Sequence, residues 1–181
     1  MPLPANPGTL FGQPPPPLWL AQHLRRAMQQ ALRAAEEAYR GAIQLEPGAA
    51  EAHLRLGRVL QRRGKAEPAR AELSWVVENS THSPLPALAQ LFLGELEESR
   101  GQLDEAIMRF RLALREEPES QSARLALSQA LHRAGEMRAS AEAARVVLVR
   151  KEPGDSWLDY HLGFPRRAQA VMERLRGEVR R

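Results

Sequence analysis

A spacing pattern of small and apolar residues recurs along this chain and restricts its fold more than any other feature. It is clearest after the pair Leu93-Gly94, which is followed by Gly101, Ala106, Phe110, Ala113 and Pro118. After the pair Leu56-Gly57, the same offsets hold Gly64, Ala69, Leu73 and Val76. After Leu127-Ser128 they hold Gly135, Ser140, Ala144 and Val147, and Pro153 comes one residue late. Because the apolar residues in between recur with a helical period, the pattern predicts a chain of helical hairpins.

The small residues of this pattern have physical roles in such a hairpin. Gly57 and Gly94 fall in mid-helix, where glycine is unfavourable by about 1 kcal/mol, so we expect them to let a second helix approach closely. Glycine also suits the left-handed residue that ends a first helix. The glycines at that position are Gly64, Gly101 and Gly135. The residue before a proline is pushed out of the helical region, so prolines end the second helices. These are Pro47, Pro118 and Pro153.

Residues 16–154 resemble the tetratricopeptide repeat, a helix-turn-helix unit of about 34 residues. A first, weaker copy carries Trp19, Ala35, Tyr39, Ala42 and Pro47, although His23 stands where a small residue is expected. The resemblance implies an all-α fold, a right-handed α-solenoid of about four helix-turn-helix hairpins with a C-terminal capping helix. It also implies a protein–protein interaction scaffold and not an enzyme, because arrays of this family bind protein segments.

We expect the repeat array to span residues 18–154, with units at about 16–49, 50–86, 87–120 and 121–154. The hairpins pair 16–30 with 31–46, 50–63 with 66–79, 87–100 with 103–116, and 121–134 with 137–151. Residues 1–17 are rich in proline and are expected to form an extended arm or linker. Residues 155–181 are expected to form a truncated repeat and a closing helix at 164–179, since terminal repeats are atypical.

Composition and charge restrict the class of protein further. With 43% hydrophobic and 27% charged residues, the chain is expected to be globular, and no apolar run is long enough to cross a membrane. The net charge of +4 comes mainly from arginines near the two ends, and charges of both signs alternate between them. We therefore expect no nucleic-acid partner. No signal peptide is visible, so the cytoplasm is the default location, and a periplasmic or extracellular location would require removal of an upstream signal.

No pattern in the sequence indicates a catalytic, metal or cofactor site. The five histidines are scattered without metal-ligand spacing, and there is no cysteine. Nucleophile-elbow, phosphate-loop and dinucleotide motifs are absent as well. Glutamate pairs such as Glu36-Glu37 and Glu97-Glu98 stand beside arginines on predicted helices, which is typical of solvated faces. We therefore predict no catalytic residues, no metal site and no cofactor.

Proteins of this family usually bind partners in the concave groove lined by the first helices of successive hairpins. Each repeat has an apolar residue two positions before its Leu-Gly pair or the equivalent pair. These residues are Leu20, Leu54, Leu91, Leu125 and Tyr160. Polar positions one and two turns further on are Arg58, Arg62, Glu95, Glu98, Gln129 and Arg133. In one interpretation, the leucines anchor an extended or helical partner segment and the charged residues set its direction. In the other, the leucines only pack against neighbouring helices.

Two further sequence features concern more specialised roles, one in the groove and one in a loop. Chaperone-adaptor members of the family hold a partner's C-terminal carboxylate with Lys, Arg and Asn side chains. Here Leu54, Leu91 and Leu125 stand where basic residues would be needed, so we predict that this clamp is absent. Asn79 begins an Asn-Ser-Thr triplet, which is a glycosylation acceptor if the protein is exported.

The favoured function is a scaffold or adaptor that binds a peptide or protein segment, whose identity the sequence does not give. A first alternative is a structural protein that associates with itself, as a homo-oligomer or a filament, by end-to-end stacking of repeats and contacts of the N-terminal arm. A second alternative is that the chain is the repeat module of a larger protein.

Overall fold

A computed structural model describes residues 18–81 and 84–149, together with Trp157 and Tyr160. The described residues form seven α-helices and no strand. The helices are α1 (Leu18–Leu45), α2 (Ala50–Arg62), α3 (Ala66–Asn79), α4 (Leu85–Ser99), α5 (Leu103–Glu116), α6 (Gln121–Arg133) and α7 (Met137–Val149). Helices α2–α3, α4–α5 and α6–α7 pair as hairpins, and α4 contacts both α2 and α6. The first helices therefore stack side by side, which makes the fold an all-α solenoid.

Each hairpin turns at a glycine whose φ angle is positive. The values are 73°, 78° and 84° at Gly64, Gly101 and Gly135. In the first hairpin the N–H of Lys65 donates to the carbonyl of Leu60 at 2.9 Å, which closes the end of α2 as in a Schellman motif. The predicted role of these three glycines is confirmed, because other residues rarely adopt this backbone conformation.

The two helices of each hairpin approach closely at the position that the repeat pattern marks. A Cβ atom on Gly57 would lie 2.7 Å from Leu73 Cγ, so α3 packs directly on the backbone of α2. The third hairpin has Ser128 at the equivalent position. The Ser128 hydroxyl donates to the Ser140 carbonyl at 2.9 Å, and the Ser140 hydroxyl donates to the Ser128 carbonyl at 2.8 Å. A buried polar pair therefore joins α6 to α7 where a glycine and an apolar side chain join the other hairpins.

The first repeat differs from the prediction. Residues 16–30 and 31–46 were expected to form two helices, but α1 is continuous from Leu18 to Leu45. The stretch 18–40 contains no glycine or proline and is rich in Ala, Leu, Gln and Arg, so nothing in it favours a turn over a helix. The C-terminal part of α1 packs on the array: Tyr39 and Ile43 lie against the apolar cluster of α2, α3 and α4.

A buried carboxylate joins α1 to the first hairpin. Glu36 is almost fully buried, and its oxygens accept bonds from Lys65 at 2.9 and 3.1 Å. Arg63 contacts the same carboxylate, and Arg40, one turn along α1, lies 2.9 Å away. Because three cations surround one carboxylate, its negative charge is compensated in spite of the burial. The end of α2 is thereby held against α1.

Several predicted segments lie outside the described residues. These are the N-terminal arm 1–17 and the closing helix 164–179. Among the residues that the model describes, no helix is both long and apolar enough to cross a membrane.

Candidate interaction surface

The first helices of the hairpins, α2, α4 and α6, form one face of the solenoid, and ion pairs cross between them. Arg58 of α2 is paired with Glu95 of α4. Further along the same helix, Glu98 accepts a hydrogen bond from Arg133 of α6 at 2.8 Å. The structure thus brings four of the predicted groove residues together as two pairs, each of which joins neighbouring repeats. We call this face, between α2, α4 and α6, the concave face.

Arg58 is held in place from three sides. Besides the contact with Glu95, its Nη1 donates to Gln61 Oε1 at 2.9 Å. Its guanidinium carbon lies 4.4 Å from the centre of the Phe92 ring, which is a cation–π distance. The guanidinium group is therefore fixed on the face.

The predicted row of leucines is only partly accessible. Leu54 and Leu91 are 0% and 3% exposed and belong to the hydrophobic core, so they support the surface from below. Leu125 on α6 is 57% exposed. Leu20 is half-buried in the N-terminal half of α1. An external segment can therefore reach the apolar row at Leu125, whereas Leu54 and Leu91 are covered.

Tyr160 contacts side chains of α2 and α4, although the repeat pattern placed it in a truncated unit after the last hairpin. Its ring meets the ring of Phe92 edge-on, with the centres 5.3 Å apart and the planes at 61°. The guanidinium carbon of Arg55 lies 4.7 Å from the centre of the Tyr160 ring. Burial raises the pKa of Tyr160 to about 12, although Arg55 and Arg58 act in the opposite direction. Burial therefore favours the neutral phenol over the phenolate.

Two residues of this contact were missed by reasoning from sequence. Arg55 and Phe92 each stand one residue after a predicted groove leucine, Leu54 and Leu91. Both leucines and Phe92 are buried in the core, and Arg55 and Phe92 contact Tyr160. Adjacent residues lie 100° apart around a helix. A helical wheel for α2 and α4 would therefore have placed Arg55 and Phe92 on a different side of each helix from the leucines and marked them as candidate contact residues.

The remaining predicted residues, Arg62, Gln129 and Asn79, are all exposed. Arg62 is exposed and lines an open cavity of about 390 Å³ with Arg58, Gln61, Leu96 and Ser99. Gln129 is exposed on α6. Asn79 is the exposed last residue of α3, and its side-chain amide donates to the Trp75 carbonyl at 2.9 Å.

The side chains of this face are suited to binding another protein segment by charge and apolar contact. Within the described part of the chain, no group of three or more His, Asp or Glu side chains could hold a metal ion. What the face offers is a set of fixed charges of both signs and an exposed leucine. Such features bind side chains of a protein segment by apolar contact and by charge.

Models of the tetratricopeptide repeat match residues 26–91 and residues 99–156. The chain is a tetratricopeptide repeat protein. The repeat fold is a non-catalytic scaffold type, and the tetratricopeptide array makes this chain a protein-interaction scaffold. No curated protein sequence is similar enough to the chain to count as a match.

Solved structures support the tetratricopeptide fold. A structure described as "Crystal structure of MamA" is 22% identical, with a TM-score of 0.58 over 68% of this chain and 71% of that one. A MamA fragment from Desulfovibrio magneticus RS-1 is 24% identical, with a TM-score of 0.58 over 67% of each chain. At this level of identity the likeness concerns the fold alone.

Proposed function

We propose that the concave face binds a helical or extended segment of another protein. The observation that carries the proposal is the position of Leu125, which is 57% exposed on the same face as the Arg133–Glu98 and Arg58–Glu95 pairs. An exposed apolar anchor beside fixed charges is the arrangement by which grooves hold amphipathic segments. The partner would place an apolar side chain on Leu125 and align its own charges with the two ion pairs.

In this proposal the charged side chains determine the orientation of the bound segment and contribute less to its affinity. Glu95 and Glu98 lie along α4, while the basic members of the pairs come from α2 on one side and α6 on the other. A bound segment would meet positive charge at both edges and negative charge between them. Because like charges placed opposite each other are costly, such a pattern favours one orientation and rejects mismatched partners. No catalytic step is assigned to this face, and no cofactor is needed for it.

The test compares two exposed apolar residues on different faces. The tagged protein, Leu125→Glu and Met108→Glu would each be used to purify partners from cells of the source organism. Met108 lies on α5, the second helix of its hairpin, and is 48% exposed, so it is a matched control. Proteins retained by the wild type and by Met108→Glu should fall at least about tenfold with Leu125→Glu, a loss of about 1.4 kcal/mol. Equal retention by all three would contradict the proposal.

A second function, association of the chain with itself, is favoured by α1. Its N-terminal half carries four exposed large apolar side chains, which are Leu18, Trp19, Leu24 and Met28. Leu24 and Met28 stand one helical turn apart and so share a face, and an exposed apolar face is typical of an interface. Light scattering after gel filtration would test it over a range of concentrations. Self-association predicts a mass above 20.3 kDa that falls to 20.3 kDa in the double variant Leu24→Glu/Met28→Glu. A constant mass of 20.3 kDa in the wild type would contradict it.

A further inference from the structure

The face of α1 that packs on the first hairpin continues toward the start of the helix. Leu24, Met28, Leu32 and Glu36 stand four residues apart, so they form one row along α1. Glu36 is buried and Leu32 is half-buried, whereas Leu24 and Met28 are 57% and 58% exposed. Over about 18 Å of helix, the row therefore changes from a packed surface into an exposed apolar one.

A cavity of about 270 Å³ lies beside this row, between α1 and the end of α2. Two apolar side chains and three arginines contribute to its lining, and no lining residue is acidic. The lining residues are Met28, Gln29, Leu32, Arg33, Arg62 and Arg63. The cavity therefore combines an apolar surface with positive charge.

Two of the three arginines are available to a ligand. Arg63 contacts the buried carboxylate of Glu36. Within the part of the chain that the structure describes, no acidic side chain forms an ion pair with Arg33 or Arg62. Both guanidinium groups belong to exposed residues, one on α1 and one at the end of α2. A carboxylate that enters the cavity can therefore pair with arginines of two different helices.

The cations beside the cavity are crowded. Arg40, Arg63 and Lys65 share the single carboxylate of Glu36. Desolvation lowers the pKa of Lys65, and the positive charges of Arg63, Arg40 and Arg33 lower it further. Because these like charges repel one another, an added negative charge is attracted to this end of the array.

We propose that the cavity and the row of Leu24, Met28 and Leu32 bind an acidic amphipathic helix of another protein. The apolar face of the partner helix packs on the row, and its carboxylates pair with Arg33 and Arg62. This is the helix-in-groove mode of recognition, with charge complementarity selecting the partner. The inference goes beyond the concave face and does not depend on it, although Arg62 lines a cavity on each.

The probe is a designed peptide helix of about four turns, with leucines on one face and glutamates on the other. Labelled with a fluorophore, it would be titrated with the full chain and followed by fluorescence anisotropy. We expect the wild type to bind it and Arg33→Glu to bind at least about tenfold more weakly. Arg111→Glu, with the same charge change on the exposed surface of α5, is the control and should bind as the wild type does.

A second pair of variants tests the apolar contact. Met28→Ser should weaken binding of the same peptide, whereas Met108→Ser on α5 should leave it unchanged, since both methionines are about half exposed. A peptide with lysine in place of every glutamate should not bind. Affinity for the glutamate peptide should also fall as salt is added, because the arginines that hold it are exposed.

Several outcomes would overturn the inference. Failure of the wild type to bind the glutamate peptide, equal binding of the lysine peptide, or equal affinity of Arg33→Glu and the wild type would each do so. Circular dichroism checks folding, and Arg62→Glu serves if Arg33→Glu unfolds. Light scattering and sedimentation with anionic vesicles cover two other occupants. A dimer that the peptide does not dissociate assigns the row to a second copy of the chain. Vesicle binding without peptide binding assigns it to a membrane. None of these results changes the expected dependence of partner retention on Leu125, so the proposed function is tested separately.

Discussion

The ring of Phe110 in α5 lies directly against the backbone of Gly94 in α4. A Cβ atom on residue 94 would come within 2.4 Å of Phe110 Cε1 and within 2.6 Å of Cδ1, closer than real Cβ contacts. Phe110 is fully buried, so its rigid ring has no free space to enter. This contact sets the distance between the two helices of the central hairpin, and with it the shape of the face that α4 contributes.

Replacing Gly94 by alanine should therefore destabilise the protein even though alanine is the better helix former. We expect a loss of about 3 kcal/mol in the free energy of unfolding, as for an overpacked core, measured by urea denaturation. Gly57→Ala should cost less, because the nearest atoms, Leu73 Cγ and Cδ2 at 2.7 and 2.8 Å, are slightly farther away and belong to a flexible side chain and not to a rigid ring. Gly41→Ala in α1 is the control: no atom lies within 4 Å of the added Cβ, so it should stabilise the protein by up to about 1 kcal/mol. A neutral Gly94→Ala would contradict the packing described.

The leucines of the concave face should divide into two classes on substitution. Leu54→Ala removes a fully buried side chain and should cost about 3 kcal/mol of unfolding free energy, since it leaves a cavity. Leu125→Ala removes an exposed one and should change stability by less than about 0.5 kcal/mol. Thermal unfolding followed by circular dichroism separates the two. Similar losses for both variants would show that Leu125 belongs to the core and is not a docking residue.

Glu36 should be a strong determinant of how α1 is attached. Glu36→Gln keeps the size of the side chain but removes the negative charge that Arg63 and Lys65 share, so we expect a loss of roughly 3 kcal/mol. The exposed neighbour Glu37 supplies the control, as Glu37→Gln should change stability by less than about 0.5 kcal/mol. Denaturant midpoints of the two variants give the comparison. Equal midpoints would mean that the buried carboxylate does not hold α1 to the first hairpin.

The ionisation of Tyr160 reports directly on its position. Burial raises its pKa from 10.0 to about 12, so folding favours the neutral phenol. The stabilisation from docking Tyr160 is complete below a pH of about 10 and is lost as the pH rises through about 12. In the variant Tyr39→Phe, Tyr160 is the sole tyrosine, and its phenolate absorbance can be titrated alone. A midpoint near 10 in the folded protein would show that the ring is exposed to solvent.

Most of the fold could be predicted from the sequence because its spacing pattern follows from packing. The glycines at 57 and 94 mark the close approach of two helices, and those at 64, 101 and 135 mark turns with positive φ. Close helix packing and a positive φ angle each require glycine at one particular position of the repeat. Glycine therefore recurs at a fixed spacing that can be recognised in the sequence. The continuous α1 was not predicted. The expected break near residue 30 came from the repeat period alone, and the local composition there favours an unbroken helix.

The candidate site was predicted less completely than the fold. Arg58, Glu95, Glu98 and Arg133 were expected on the groove, but their pairing across helices depends on how neighbouring repeats stack. Burial of Leu54 and Leu91 also depends on that stacking, as does the exposure of Leu125. The contact of Tyr160 with Arg55 joins residues far apart in sequence. No local pattern encodes such a contact, because it arises only when the array is assembled.

We propose the face formed by α2, α4 and α6 as the interaction surface of this scaffold, and nuclear magnetic resonance tests this proposal most directly. Amide shifts of the isotopically labelled protein would be followed as a partner protein is added that the wild type retains and Leu125→Glu does not. We predict that the shifts concentrate on α2, α4 and α6, with Leu125 among the most affected residues. Shifts confined to α3, α5 or α7, the second helices of the hairpins, would place binding on another face and contradict the proposal.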